Sequence, residues 1–168
     1  MIIWIILAAI VLLFGFVVFR GAPYVPTHRK QIDRALTELY AVTKDDVLVD
    51  IGSGDGIVLR CASKYGARAV GYELNPLLVI VSRVLSRGDP NVTIRLADFW
   101  LTPLPDDTTV VYIFTVSRDL AKLHRTLQAE ANRLNRPILL MIYGHKFADM
   151  TPKREVGAHA LYEFRPLH

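Results

Sequence analysis

Cysteine is almost missing. Cys61 is the only one in 168 residues. That excludes an internal disulfide and offers no thiolate framework for a metal. Cys61 falls in a helical stretch and reads as a small buried hydrophobe. Charge and proline are both missing from Met1 to Phe19. Nineteen helical residues rise roughly 28 Å, close to the hydrocarbon thickness of a bilayer. No polar face breaks the run, as an amphipathic core helix would require. No basic residue precedes it and no small-x-small site follows it, so a cleaved leader fits poorly. The run is expected to be a transmembrane helix. Arg20, Arg29 and Lys30 flank only its far side, which places the remaining chain on the cytoplasmic face of a single-pass anchor. An Arg- and Ser-rich leader is also lacking, which favours a prokaryotic inner membrane over the mitochondrial inner membrane. No basic cluster is interleaved with aromatics, so a nucleic-acid partner is not expected. Repeats and low-complexity segments are missing as well. The net charge of +4 suits an ordinary solvated surface, or one that touches acidic headgroups.

What is present divides into three parts: an anchor at 1–19, a connector with a first helix at 20–43, and a ligand-binding domain at 44–168. Gly21-Ala22-Pro23-Tyr24-Val25-Pro26 is a proline-punctuated connector. Thr27 can cap a helix whose apolar face is Ile32, Ala35, Leu36, Leu39 and Tyr40. Strands are expected at Val47–Ile51, Ala69–Glu73, Val92–Leu96, Thr109–Phe114 and Ile138–Tyr143. Helices are expected near Gly56–Tyr65, Pro76–Gly88 and Arg118–Leu134. Alternation of this kind implies an α/β fold with a parallel sheet covered on both faces. Glu155–Val156 and Ala158–Phe164 have no helix between them and predict an antiparallel hairpin at the end of the sheet.

The chemistry is concentrated at Asp50-Ile51-Gly52-Ser53-Gly54-Asp55-Gly56. A β-branched strand runs into a loop with glycines at alternate positions, and a helix follows. Glycine permits positive φ and brings backbone N–H groups close to a ligand. The helix aims its partly positive end at the same place. Gly-x-Gly-x-x-Gly, the fingerprint of a dinucleotide site, is not matched: the third glycine comes one residue early, and Asp55 would face a pyrophosphate. Open parallel sheets bind ligands outside the carboxyl ends of their strands. Three acids sit at such ends: Asp50, Glu73 and Asp98. Glu73 is one βαβ unit beyond Asp50 and can accept both ribose hydroxyls. Asp98 is placed to accept from an adenine amino group, with Phe99 or Trp100 beside the ring. Carboxylates disfavour a pyrophosphate and suit a cationic, zwitterionic nucleoside. The expected cofactor is therefore S-adenosyl-L-methionine, and the reaction methyl transfer.

Three strings then carry a family resemblance: the glycine loop, Val70-Gly71-Tyr72-Glu73-Leu74-Asn75-Pro76, and Asp98-Phe99-Trp100. Together they resemble the motifs of membrane-anchored class I lysine methyltransferases, whose mitochondrial members modify the ATP synthase c-subunit and the adenine nucleotide translocase. Pro23-Tyr24-Val25-Pro26-Thr27 is similar to that family's segment between anchor and catalytic domain. The resemblance implies a Rossmann-like seven-stranded sheet, mostly parallel with a C-terminal antiparallel hairpin. It implies cofactor-binding roles for Asp50, Gly52, Gly54, Gly56, Glu73 and Asp98, and Ser53, Leu74, Asn75 and Phe99 are further cofactor-binding candidates beside them. The chain departs from the family pattern at Leu77, Phe99, Met150 and Leu161, which bears on the acceptor rather than on the cofactor.

A lysine acceptor must lose its proton before it can attack, and a low-dielectric channel favours that loss. Asp98, Trp100 and Tyr24 are the candidate catalytic residues on the acceptor side, since aromatic rings hold cationic groups. Thr115-Val116-Ser117 lacks the Asn-Pro-Pro-Tyr string of enzymes that methylate amino groups of nucleic acids. His124 and His145 read as surface or core residues. No metal is expected. The membrane is the expected partner, with a membrane protein as substrate, because tethering raises effective concentration there. The alternatives are a lipid or quinone methyltransferase, and a cofactor-binding membrane protein without turnover.

Overall fold

The computed structural model describes residues 1–5 and 29–167. Most of the uncharged run, the connector and Tyr24 lie outside the described residues. Among the described residues no helix is long and apolar enough to cross a membrane.

Among the described residues, seven strands form one sheet in the order β3-β2-β1-β4-β5-β7-β6. They are β1 (Val47–Ile51), β2 (Arg68–Glu73), β3 (Val92–Leu96), β4 (Val110–Thr115), β5 (Ile138–Gly144), β6 (Arg154–Val156) and β7 (His159–Phe164). The first five pair in parallel. β7 pairs antiparallel with both β5 and β6, as the missing helix between them predicted. The helices are α1 (Arg29–Arg34), α2 (Ile57–Ser63), α3 (Pro76–Leu85) and α4 (Leu120–Leu134). The last three are shorter than their periodicity suggested. α1 passes into a π-helical turn at Ala35–Leu39, and a 3-10 turn at Ser117–Asp119 leads into α4.

β1 and β4 are buried along nearly their whole length because helices cover both faces. One face carries Leu48, Val110, Met141 and Leu161 and packs under α1, its π turn and α2. The other carries Val49, Val111, Leu140 and Tyr162 and packs under α4 and the loop after β3. Cys61 is fully buried in the first layer, and burial raises its thiol pKa, as expected of an inert core cysteine. Leu161 is a core residue of that layer. Met150 packs against the opposite layer.

Buried Asp46 ties the start of the sheet to the first helix. Its carboxylate accepts from the Tyr40 hydroxyl (2.8 Å), the Thr43 amide (2.9 Å) and the Thr109 hydroxyl (2.8 Å). Burial and this bond push Tyr40 up to about 12.

Candidate active site

Parallel pairing places the three acids on one rim. Asp50 lies opposite Gly71 in β2, and Glu73 lies opposite Leu96 in β3, two residues before Asp98. Asp50, Glu73 and Asp98 therefore mark the carboxyl ends of three adjacent strands.

The glycine loop turns over this rim with Gly52, Gly54 and Gly56 all at positive φ (73°, 54° and 78°). Its amides do something other than expected. Gly52 and Ser53 both donate to the Tyr72 carbonyl, at 2.8 and 3.1 Å. Gly54 donates to Glu73 Oε2 at 2.8 Å, and Gly56 donates to the Ser53 carbonyl at 2.8 Å. These four N–H groups are spent on the protein, not held open for a ligand. The loop is a braced wall, and its glycines are needed for backbone shape and close packing. The buried Ser53 hydroxyl sits where a Cβ on Gly71 would come within 2.5 Å, and Ser82 Oγ sits 2.2 Å from where a Cβ on Gly56 would be. Gly71 and Ser82 thus hold the loop against β2 and α3. Spacing did not single them out, because their part is steric rather than chemical.

Glu73 is buried and accepts from two backbone amides, Gly54 and Asn75 (2.7 Å). Four lone-pair directions on a carboxylate leave room for a ribose hydroxyl beside them. Asn75 caps α3 by accepting from the Leu77 amide at 3.0 Å, and Leu74 is half-buried between the two.

Asp50 is different. It is buried, and its carboxylate has no hydrogen-bond partner among the described residues. Burial first, then the negative charges of Glu73 and Asp55, hold its pKa well above the usual carboxylate range. An unpaired buried carboxylate is costly, and a cation beside it would remove that cost. Asp55 acts elsewhere: it accepts from the Ile57 amide (3.2 Å) at the start of α2 and pairs with Arg60 (3.4 Å). The start of α2 already has its negative charge, which disfavours a pyrophosphate there.

Asp98 is half-buried and accepts from the Trp100 amide at 2.9 Å, which fixes the turn after β3. Phe99 is buried and Trp100 half-buried in the layer under α4, their rings 5.1 Å apart. The ammonium of Lys122 lies 4.2 Å from the Trp100 ring centroid, so any acceptor group would share that ring with a cation.

A row of side chains unremarked in the sequence continues from Asp50 along the same face. Tyr112 lies opposite Asp50 in β4, and its hydroxyl and His159 Nε2 are hydrogen-bonded at 2.9 Å. The Tyr143 ring stacks on His159 at 4.7 Å, and Phe114 lies 5.8 Å from Tyr143. Burial, reinforced by the charge of Asp50, raises the Tyr112 pKa well above its ordinary value. Burial lowers His159 to about 4, so its ring is neutral at physiological pH. Strand residues two apart share a face, but only the antiparallel register of β7 brings His159 to Tyr143. His124 packs among Phe147 and Phe164. Among the described residues no acidic, cysteine or histidine cluster could hold a metal.

Residues 50–154 match the ANTKMT methyltransferase domain. The ATP synthase c-subunit lysine N-methyltransferase of Xenopus laevis is 38% identical over 111 residues, 64% of this chain and 48% of that protein. The adenine nucleotide translocase lysine N-methyltransferase of Mus musculus is 35% identical over 112 residues, 64% of this chain and 48% of that protein. The chain spans about half the length of these curated relatives. Among solved structures, an RNA methyltransferase from Salinibacter ruber in complex with S-adenosyl-L-homocysteine superposes with a TM-score of 0.74 at 29% identity, over 86% of this chain and 95% of that one. With the sheet order, the braced glycine loop and the acids of the rim, these matches place the chain in the ANTKMT methyltransferase domain family, with the Rossmann-like fold of class I methyltransferases.

Proposed function

We propose that this chain transfers a methyl group from S-adenosyl-L-methionine to the ε-amino group of a lysine in a protein held at a membrane. The observation that carries the cofactor is the buried, unpaired Asp50 carboxylate beside a loop whose helix end already holds Asp55. That donor set suits a cationic zwitterion and repels a diphosphate. The structural relative with S-adenosyl-L-homocysteine bound supports the same cofactor. The lysine rests on the relatives named as lysine N-methyltransferases.

In this reading Asp50 faces the cationic end of the cofactor, Glu73 the ribose hydroxyls and Asp98 the adenine amino group. Gly52, Ser53, Gly54 and Gly56 form the wall beneath, and Leu74, Asn75 and Phe99 shape the edge of the nucleoside site. The bound sulfonium supplies a methyl carbon already activated for displacement. The protein's share is alignment and drying of the acceptor site. The neutral, largely buried Tyr112, His159 and Tyr143 carry no positive charge and strip water from the acceptor amine, which favours its uncharged form. These side chains would hold the uncharged acceptor nitrogen in line with that methyl carbon, and the proton shed by the amine would pass to water. Tyr24, which lies outside the described residues, and Trp100 are proposed as further acceptor-side residues, and residues 1–19 are proposed as the anchor that holds the domain on the cytoplasmic face of its membrane.

The Salinibacter ruber relative gives RNA methylation as the second reading. Incubation of the protein with membranes, ribosomal RNA and methyl-labelled S-adenosyl-L-methionine separates the two. Label in a protease-sensitive membrane protein, as methylated lysine, is expected. Label confined to ribonuclease-sensitive material, or to a lipid extract, overturns the lysine reading.

A further inference from the structure

Helix α3 is amphipathic in the wrong direction for a helix on a sheet. Leu77, Ile80, Val81, Val84 and Leu85 are all exposed, Val84 to 66%. Their spacing is i, i+3, i+4, i+7 and i+8. At 100° per residue that is one continuous stripe. The side toward the protein carries Val79 and Ser82, with Ser86 just beyond the helix end, all buried and roughly opposite the stripe. The reason is local. α3 must come close enough to the glycine loop for Ser82 to fill the space beside Gly56, so small residues face in and the apolar ones face out. Leu96, at the end of edge strand β3, is also exposed, at 57%. Exposed apolar surface gathered in this way marks an interaction site.

The charges around the stripe specify the partner. From Pro76 to Arg87 the only ionisable side chains are Arg87, which is exposed, and Arg83, an exposed residue whose guanidinium also donates to the Ile94 carbonyl at 2.8 and 3.2 Å; no acid is present. On the helical wheel both fall to one side of the stripe. An apolar stripe bordered by cations alone matches a helix lying in the interface of an anionic bilayer. A protein groove would impose no such one-signed border. We infer that the exposed face of α3 docks on an anionic lipid surface. The stripe starts at Leu77, directly beyond Asn75 and Glu73, so docking holds the mouth of the cofactor site at headgroup level. The inference does not depend on which acceptor is methylated.

The test uses the full chain in vesicles, with an environment-sensitive fluorophore on Val84→Cys and, as control, on Ala129→Cys at an exposed position of α4; Cys61 is buried and does not compete. Binding of S-adenosyl-L-homocysteine checks that both variants fold. In vesicles containing phosphatidylglycerol, the label at residue 84 is expected to shift to the blue and to be quenched at least threefold more by brominated lipid than the label at 129. In pure phosphatidylcholine the difference should shrink markedly. Equal water exposure of both labels in the phosphatidylglycerol vesicles overturns the inference, and so does a preference for residue 84 that is as large in neutral vesicles as in anionic ones. Shielding of residue 84 without lipid also overturns it. If that shielding rises with protein concentration, a second copy covers the stripe; if not, another part of the chain does.

Discussion

On the proposed reading, Asp50 serves binding at the expense of stability. Its folded pKa lies above its unfolded value. Its contribution to stability is therefore full below the unfolded pKa and is lost as pH rises through the folded one. At neutral pH the ionised form is a burden on the empty protein and an asset once a cation is beside it. Asp50→Asn is expected to raise the melting temperature of the cofactor-free protein at pH 7.5 while weakening S-adenosyl-L-methionine binding by tenfold or more. Calorimetric titration with S-adenosyl-L-methionine should show that weakening directly. A variant that is no more stable and binds as well would remove Asp50 from the site. Glu73 carries a different load, because its carboxylate also accepts from the Gly54 and Asn75 amides. Glu73→Ala should abolish cofactor binding measured by calorimetry, through the loop as well as through the ribose.

Among the elements, the strand–loop–helix unit that holds the site depends on close approach. Gly71 in β2 needs no unusual backbone angle, yet an added Cβ would meet Ser53 Oγ at 2.5 Å and Leu59 Cδ1 at 2.7 Å. Overpacking of this kind typically costs about 1–3 kcal/mol. Gly71→Ala is expected to lower stability to denaturant by about that amount and to weaken cofactor binding, because Ser53 must move. Unchanged affinity would mean that the loop tolerates displacement. The order of elements was legible because apolar alternation and glycine punctuation report local geometry. Val47–Ile51 and Val92–Leu96 were legible to the residue. Helix ends were not. α3 stops at Leu85 although the sequence pattern reaches Gly88, and the first helix widens into a π turn at Ala35–Leu39, where tertiary packing outweighs intrinsic propensity.

For the molecule as a whole, His159 links stability to pH. Its ring is neutral when folded, with a pKa of about 4, against 6.5 for an unperturbed histidine. The unfolded chain therefore takes up a proton that the folded one refuses. Stability is full above pH 6.5 and declines as pH falls toward 4. A shift of this size corresponds to roughly 3 kcal/mol. Urea unfolding at pH 7 and pH 4.5 should show a loss that His159→Gln, which keeps a partner for the Tyr112 hydroxyl, reduces by much of that amount. An equal loss in the variant would assign the acid sensitivity to other groups.

The chain by itself determined the acids, their order and their place at the ends of successive strands, because strand length, glycine loop and crossover helix are local properties. Only the tertiary structure decided which backbone amides brace the loop, that Asp50 stands unpaired, that Tyr112, Tyr143 and His159 form one row, and that α3 turns its apolar side outward. Those outcomes depend on register and contact between segments far apart in the chain, such as Tyr112 and His159, and no spacing along the chain encodes them.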